Sequence, residues 1–520
     1  MSRRLRALAA LVLALAMLCG CARLLPEVDQ PDQDAPEAGP AEITLSSQST
    51  EELFFLPYAP QQGVNPYTCQ SRTNLTFLPL VYEGLFTVTP DFAAVGVLCQ
   101  SWEVSEDGTV YTLTLRENVR FQSGMILTVS DVLYSIAFAQ ASQAYATRLS
   151  CIRSATAEDG KIVIQLYQPR DQFLLLLDFP IVRNNTGEAD QPDGTGPYAL
   201  ILSGDNDNYL DSRSDWWGGT DLPISRIYLL LCATAVDVRD SFELGRISLA
   251  CTDINSAAAV PYHSDCEQWR QPSTTMLYLG FNRTDGLFST KALRQAVTYA
   301  IDREAVSGIG GGYIAPACLP ASPDSPVYSQ TLATHFAANL EQARLYLQDA
   351  ELRDTDRDGV LEYETQDGME PASATLIVAA DSLADVTAAQ SIADSLGTLG
   401  LEVTVEALDP ADYQARRSSG RYDLFLETLR MTPDFDLTYL LRDLGLLDTY
   451  TATLCSMALE NMGNYYDLHE YLMQEGVFCP VGFKCSAVYV LRGHASGLKP
   501  APYNVFYGLS DLTLMSGSTQ

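Results

Sequence analysis

Histidine is almost missing from this chain. Its 520 residues hold four, His263, His335, His469 and His494, widely separated and never in an H-E-x-x-H arrangement. The nucleophile-elbow pattern G-x-S-x-G and the phosphate-cradling P-loop are absent too, which removes the common hydrolase and nucleotide-site signatures. The twelve cysteines include no C-x-x-C, and the nearest pair in the folded part is Cys479 and Cys485. Zinc sites want tighter paired spacing with histidine support, so no metal centre is expected. A catalytic group would have to converge in three dimensions; no cofactor and no enzyme are expected. Basic residues are also scarce, 32 Lys and Arg against 65 Asp and Glu, for a formal charge of −33. Such a chain cannot replace the counterions of a nucleic acid, and an anionic membrane surface repels it. Past the first residues no stretch approaches the eighteen apolar residues that a spanning helix requires, and no internal repeat is present.

What is there begins with length. A chain of 520 residues exceeds what one hydrophobic core holds, so two or three lobes are expected. Apolar residues at 47% and charged residues at 19% suit a soluble globular protein. Arg3, Arg4 and Arg6 precede an apolar run from Ala7 to Leu18, too short to span a bilayer, which ends in Leu18-Cys19-Gly20-Cys21. The pattern resembles a lipobox, with residues 1–20 as signal peptide and Cys21 as the lipidated residue. Ordinary signal-peptidase cleavage is the alternative. Two acyl chains suffice for stable anchoring. Ala22 to Glu42 holds four prolines and six acidic residues, so 21–42 reads as a disordered tether, with the fold starting at Ile43-Thr44-Leu45. Export permits disulfides among the remaining cysteines, whose pairing stays open.

Local patterning places several elements. Ser101 to Ser105 and Val110 to Leu115 read as a β-hairpin. Tyr111, Leu113 and Leu115 alternate with polar residues, and Asp107-Gly108 is expected to supply a positive-φ pair. Thr128-Val129-Ser130-Asp131 reads as a capping box opening a helix through Val132, Leu133, Ile136 and Ala137. Lys161 to Leu166 alternates as another strand. Met276 to Asn282 reads as a strand, and Ser289 is expected to cap a helix carrying Leu293, Ala296, Val297, Ala300 and Ile301 on one face. Leu376 to Ala379, a helix through Val386, Ala389, Ile392 and Leu396, a stop at Gly400 and a strand from Leu401 make a βαβ unit.

The wording of several stretches resembles the solute-binding proteins of peptide- and nickel-type ABC importers. These stretches are Asn65-Pro66-Tyr67, VYEGLF (Val81 to Phe86), SWEVSEDGTVYTLTLRENVRFQSG (Ser101 to Gly124), Gly194 to Tyr198 and LRQAVTYAIDRE (Leu293 to Glu304). The resemblance implies an α/β, two-lobed periplasmic-binding-protein-like (type II, Venus-flytrap) fold. It places lobe I at 43–270 with an extra strand-rich subdomain at about 66–189, lobe II at 271–481, and a return to lobe I at 482–520. It implies a monomeric extracytoplasmic protein, lipid-anchored to the membrane, that closes on a small ligand, an oligopeptide first. Permease and ATPase subunits of an ABC importer are the implied partners. An exported hydrolase or transpeptidase, and a sensor reporting to a membrane receptor, are the rival readings.

In the family the ligand's ammonium meets an aspartate in a loop reading roughly W-x-x-D-Y-x-D-P. The corresponding segment here runs from Tyr422 to Asp436, with Leu429 in place of the tryptophan and Thr432 where that aspartate would be. Asp434 and then Asp436 are the nearest acids for the role. Arg430 suits an anionic ligand instead, or it pairs with Asp434 across the loop. Asn65, with the loop before it, and Tyr145 are further candidates by resemblance, although core packing is the expected place of Tyr145. Asp354-Thr355-Asp356-Arg357-Asp358-Gly359 has the early spacing of a calcium loop, but Thr365 stands at position 12, so a solvated turn is expected. Ser496 to Lys499 fits S-x-x-K, but Gly493, Gly497, Pro500 and Pro502 exclude the helix that chemistry needs.

Overall fold

The computed structural model describes residues 53–203, 207–219, 221–252, 262–309, 314–365 and 368–514. The expected signal segment 1–20, Cys21, the tether 21–42 and the start at Ile43 lie outside the described residues. None of the ten described cysteines is disulfide-bonded. Among the described residues no helix is long and apolar enough to cross a membrane.

Two large hydrophobic cores organise the chain. One gathers residues between Phe54 and Cys251 and again from Val488 to Leu512. It is covered by two four-stranded sheets. In the first, Phe54–Tyr58 runs parallel to Arg226–Leu231, followed by Tyr209–Ser212 and Tyr198–Ile201. In the second, Cys99–Val104, Val110–Leu115, Lys161–Leu166 and Ile152–Glu158 are all antiparallel. The hairpin forms as its alternation requires, with Tyr111 and Leu113 buried. Its turn differs from expectation. Only Gly108 has positive φ, at 67°, because Gly108 N donates to Ser105 O and Ser105 N to Val110 O, closing a four-residue loop. A type I′ turn needs two left-handed residues, a requirement that the longer loop does not impose.

The capping box forms as read. Thr128 N donates to Asp131 Oδ2 at 2.8 Å, and the helix runs Val129–Ala141. Asp131 Oδ1 also accepts from Asn184 N at 2.8 Å, so one carboxylate holds both the helix start and a distant loop.

The second core is centred on residues 276–485. Its seven-stranded sheet runs in the order Leu249–Thr252, Phe478–Leu491, Cys266–Phe281, Leu424–Arg430, Ser373–Ala379, Glu402–Leu408, with Ile314–Pro316 pairing Phe478–Leu491. The βαβ unit is present: Ser373–Ala379 pairs in parallel with Glu402–Leu408 across the helix Leu383–Gly397, and Gly400 takes φ 86° at the stop. The helix after Met276–Asn282 starts one residue later than expected. Thr290 is its N-cap, and the Ser289 hydroxyl donates back to Gly286 O because a short 3₁₀ turn precedes the helix. The five apolar residues of its predicted stripe are all buried.

The two long antiparallel strands Cys266–Phe281 and Phe478–Leu491 belong to both cores. Up to Cys485 the second strand packs in one core, and Val488 and Val490 pack in the other. Between the two regions the pairing slips, with a register shift between Gln271 and Thr275. A bulge of this kind bends a strand and breaks its ladder locally. The joint between the cores is therefore a pair of bent strands. Val88, Phe92 and Leu175, early in the chain, pack with the second core.

The acidic turn Asp354 to Asp358 is exposed, and its carboxylates accept from its own amides. Glu362 lies with them and accepts from Thr355 N at 2.7 Å.

Candidate ligand cleft at the joint of the two cores

A cavity of about 740 Å³ opens where the bent strands pass from one core to the other. The joint itself supplies Gln271, Ser273, Thr274, Thr275, Lys484, Cys485 and Ser486. The first core adds Glu83, Tyr145, Arg148, Asp178 and Trp216, the strand Leu424–Arg430 adds its last residue, and Tyr503 to Leu509 complete the wall. Volume and lining suit a small organic solute, with aromatic walls and a few convergent polar groups.

Arg430 is exposed at the strand end opposite Thr275, with its guanidinium 5.9 Å from the Tyr503 ring centroid. It makes no ion pair among the described residues. Arg148 approaches the same ring at 5.4 Å, is ion-paired to Asp178 and donates from Nη2 to Leu175 O at 2.9 Å. Burial pushes its pKa down. Tyr145 lies between Tyr67 and Phe179, edge-on to the first at 5.7 Å, and burial raises its phenol while Arg148 and Arg430 oppose that shift. Gln271 spans the joint: Nε2 donates to Ala501 O at 2.8 Å, and Oε1 accepts from Arg72 Nη2. Arg72 Nη2 also lies 3.2 Å from Cys251 Sγ. Lys484 is held by Asp385 at 2.6 Å.

Glu83, from VYEGLF, is buried and accepts from both indoles, Trp216 at 3.1 Å and Trp217 at 3.0 Å. Burial outweighs these donors and pushes its carboxyl up to about 7.

Of the residues picked from sequence, the structure brings Tyr145 and Arg430 to this cavity; Asn65, Thr432, Asp434 and Asp436 are not in its lining. The Asn65 amide donates to Gly187 O and Ala189 O at 2.7 and 2.8 Å, tying two loops together. Thr432 lies in the tight turn closed by Phe435 N to Thr432 O, and its hydroxyl is buried without a partner. Asp434 is fully buried, and its partner is Arg170 rather than Arg430. Arg170 Nε donates to Asp434 Oδ2 at 2.6 Å and Nη2 to Asp436 Oδ2 at 2.5 Å. The two carboxylates together hold the guanidinium charged, raising its pKa against the pull of burial. Sequence reading passed over Arg72, Arg148, Asp178, Arg170 and Lys484, since isolated charges in mixed segments carry no local pattern. Glu83 lay inside the phrase VYEGLF without a role.

Tyr465, whose hydroxyl donates to Asp434 O, packs its ring 5.5 Å from that of His469. His469 is fully buried with both ring nitrogens unpartnered, and burial pushes its pKa down to about 3. An unfolded histidine titrates near 6.5, so below that pH the unfolded chain binds the extra proton. The stability this neutral imidazole lends is complete above pH 6.5 and is lost as pH falls toward 3. At pH 5 the loss is about 2 kcal/mol. Glu83, with its raised pKa, works in the opposite direction between about 4.5 and 7. Comparing urea unfolding of the native chain and His469→Leu at pH 7.5 and pH 5 isolates the imidazole, and the variant is expected to lose less stability on acidification by that amount.

Two α/β lobes joined by a pair of bent strands, with a polar and aromatic cavity at the joint, define the two-lobed periplasmic-binding-protein class. Within that class the chain belongs to the bacterial extracellular solute-binding proteins, family 5, whose model for the middle part of the family matches residues 93–443. HbpA2 from Haemophilus parasuis shares the fold with a TM-score of 0.71 at 19% identity, over 89% of this chain and 99% of that one. NikA from Brucella suis, solved in complex with Fe(III)-EDTA, has a TM-score of 0.69 at 19% identity, over 88% and 99%. The glutathione-binding protein GsiB of Salmonella typhi is 25% identical over 284 residues, 52% of this chain and 55% of that protein. The chain thus spans about half the length of that relative.

Proposed function

We propose that the protein is a solute receptor of an ABC importer. It captures a small molecule, an oligopeptide or a solute of similar size, in the cleft and presents it to a membrane permease driven by cytoplasmic ATPase subunits. The observation that carries this reading is the cavity at the bulged joint, lined from both cores, because a solute there touches both lobes and stabilises their closed arrangement. Lobe I is taken as 43–270 with the return 482–520, and lobe II as 271–481; the composition of the two cores supports that division. Anchoring through a lipid on Cys21, after removal of residues 1–20, would keep the receptor beside its permease. Family membership and the glutathione-binding relative support a peptide-sized ligand.

The receptor binds without altering covalent bonds. Incubation with a mixed peptide library, removal of free peptide and native mass spectrometry test this. Intact solute released on denaturation is the expected result. Cleaved or transpeptidated products would instead establish an exported enzyme.

A further inference from the structure

We infer that the solute is an anion bearing carboxylate groups, seated on Arg430 against the Tyr503 ring. The inference rests on the cleft being the solute site.

The chain has about twice as many acidic as basic residues, 65 against 32. The cleft inverts this balance, because its charged lining among the described residues is Arg72, Arg148, Arg430 and Lys484 against Glu83 and Asp178. Internal partners then account for much of that charge. Asp178 is neutralised by Arg148 and Lys484 by Asp385, while each oxygen of buried Glu83 is occupied by an indole N–H. Among the described residues Arg430 and Arg72 have neutral partners alone, the Tyr503 ring for one and Gln271 with Cys251 for the other.

Among the described lining residues no carboxylate is left without an internal partner for a ligand ammonium. The two acids of the loop after Arg430 lie outside the lining and are both committed to Arg170. A basic cleft within an acidic body concentrates anions and repels cations, since low-dielectric walls focus the field there. The planar guanidinium fork matches a carboxylate with two parallel hydrogen bonds, and an aromatic face helps hold the fork in place. Acidic peptides and non-peptide polycarboxylates share this chemistry.

Calorimetry with triglutamate, propane-1,2,3-tricarboxylate, trialanine and trilysine, at low and at physiological ionic strength, tests the inference and separates the two sources. One or both of the anions are expected to bind, more weakly as salt rises. Trialanine is expected to bind about tenfold more weakly or worse, and trilysine not at all. Arg430→Gln, at an exposed position, is expected to keep the native thermal midpoint and weaken the anion by about 10- to 100-fold. Arg430→Lys should recover part of that loss, and Arg72→Gln should reduce the salt dependence. Equal or tighter binding of trialanine or trilysine overturns the inference, as does an Arg430→Gln affinity within about twofold of native. If none of the four probes binds, the solute retained from the host decides: a neutral or cationic one overturns the anion assignment and leaves solute capture standing. Retention of no solute at all sinks the capture reading itself.

Discussion

Replacing Arg170 with Met is expected to lower the stability of the folded chain by about 3–5 kcal/mol, read from the shift in the urea unfolding curve. Arg170 enters from the first half of the chain, just before the apolar segment Phe173–Leu177, and its side chain is 7% exposed. Its Nε and Nη2 reach Asp434 and Asp436, more than 260 residues downstream, and Asp434 is completely buried. Removing the guanidinium strands a carboxylate away from water. That penalty far exceeds the Coulombic value of an exposed pair. The neighbourhood deepens the effect: Asp171 N donates to Leu459 O at 2.8 Å and Asp171 Oδ2 accepts from Met462 N at 3.1 Å, so this short segment ties together two stretches of chain far apart in sequence. The double variant Arg170→Met with Asp434→Leu should recover much of the loss, because a buried ion pair replaced whole by apolar groups is often neutral. If the single variant unfolds at the native urea concentration, the pair is not a structural tie.

Phe92→Ala, made alone, is expected to cost about 3–5 kcal/mol. Phe92 sits in a tight turn closed by Thr89 N to Ala93 O, at φ 57°, and is 1% exposed. Its ring lies 5.1 Å from that of Phe435, itself at φ 56°, and Phe435 packs 5.8 Å from Phe483 on the long strand. Left-handed backbone is costly for bulky residues, so both turns are held by what their rings gain from packing. Truncation to Ala leaves a cavity between elements that the rest of the fold prevents from collapsing. Phe92→Leu should cost clearly less. Equal losses for the two variants would mean that the turn backbone, and not the ring, sets the effect.

Much of the fold was legible because its signals are local. The alternation of Tyr111 and Leu113, the Thr128–Asp131 box and the strand–helix–Gly400–strand order each lie within a few residues of what they specify. The errors were local as well: a positive-φ pair expected at Asp107-Gly108 where only Gly108 is left-handed, and a cap placed at Ser289 where a 3₁₀ turn moves it to Thr290. Tertiary pairing was beyond reach. Nothing near Asp434 announces Arg170, and the reading that paired Asp434 with Arg430 chose the neighbour in sequence over the partner in space. Tyr145 and Arg430 were reached through resemblance and through the oddity of an arginine in that loop. Arg148 and Asp178 came into view only once the cores brought their loops together. Val88, Phe92 and Leu175 show the same limit, since early sequence position does not reveal that they pack in the later core.

Solute capture by this protein depends on the cleft where the two bent strands cross between cores. A crystal structure of protein purified from its own host, without added ligand, tests this most directly. The expected result is well-ordered density in the 740 Å³ cavity, touching Arg430 and Tyr503 from one side and Tyr145 from the other. A solute bound on the outer face of a single lobe, with this cavity holding only water, would contradict it.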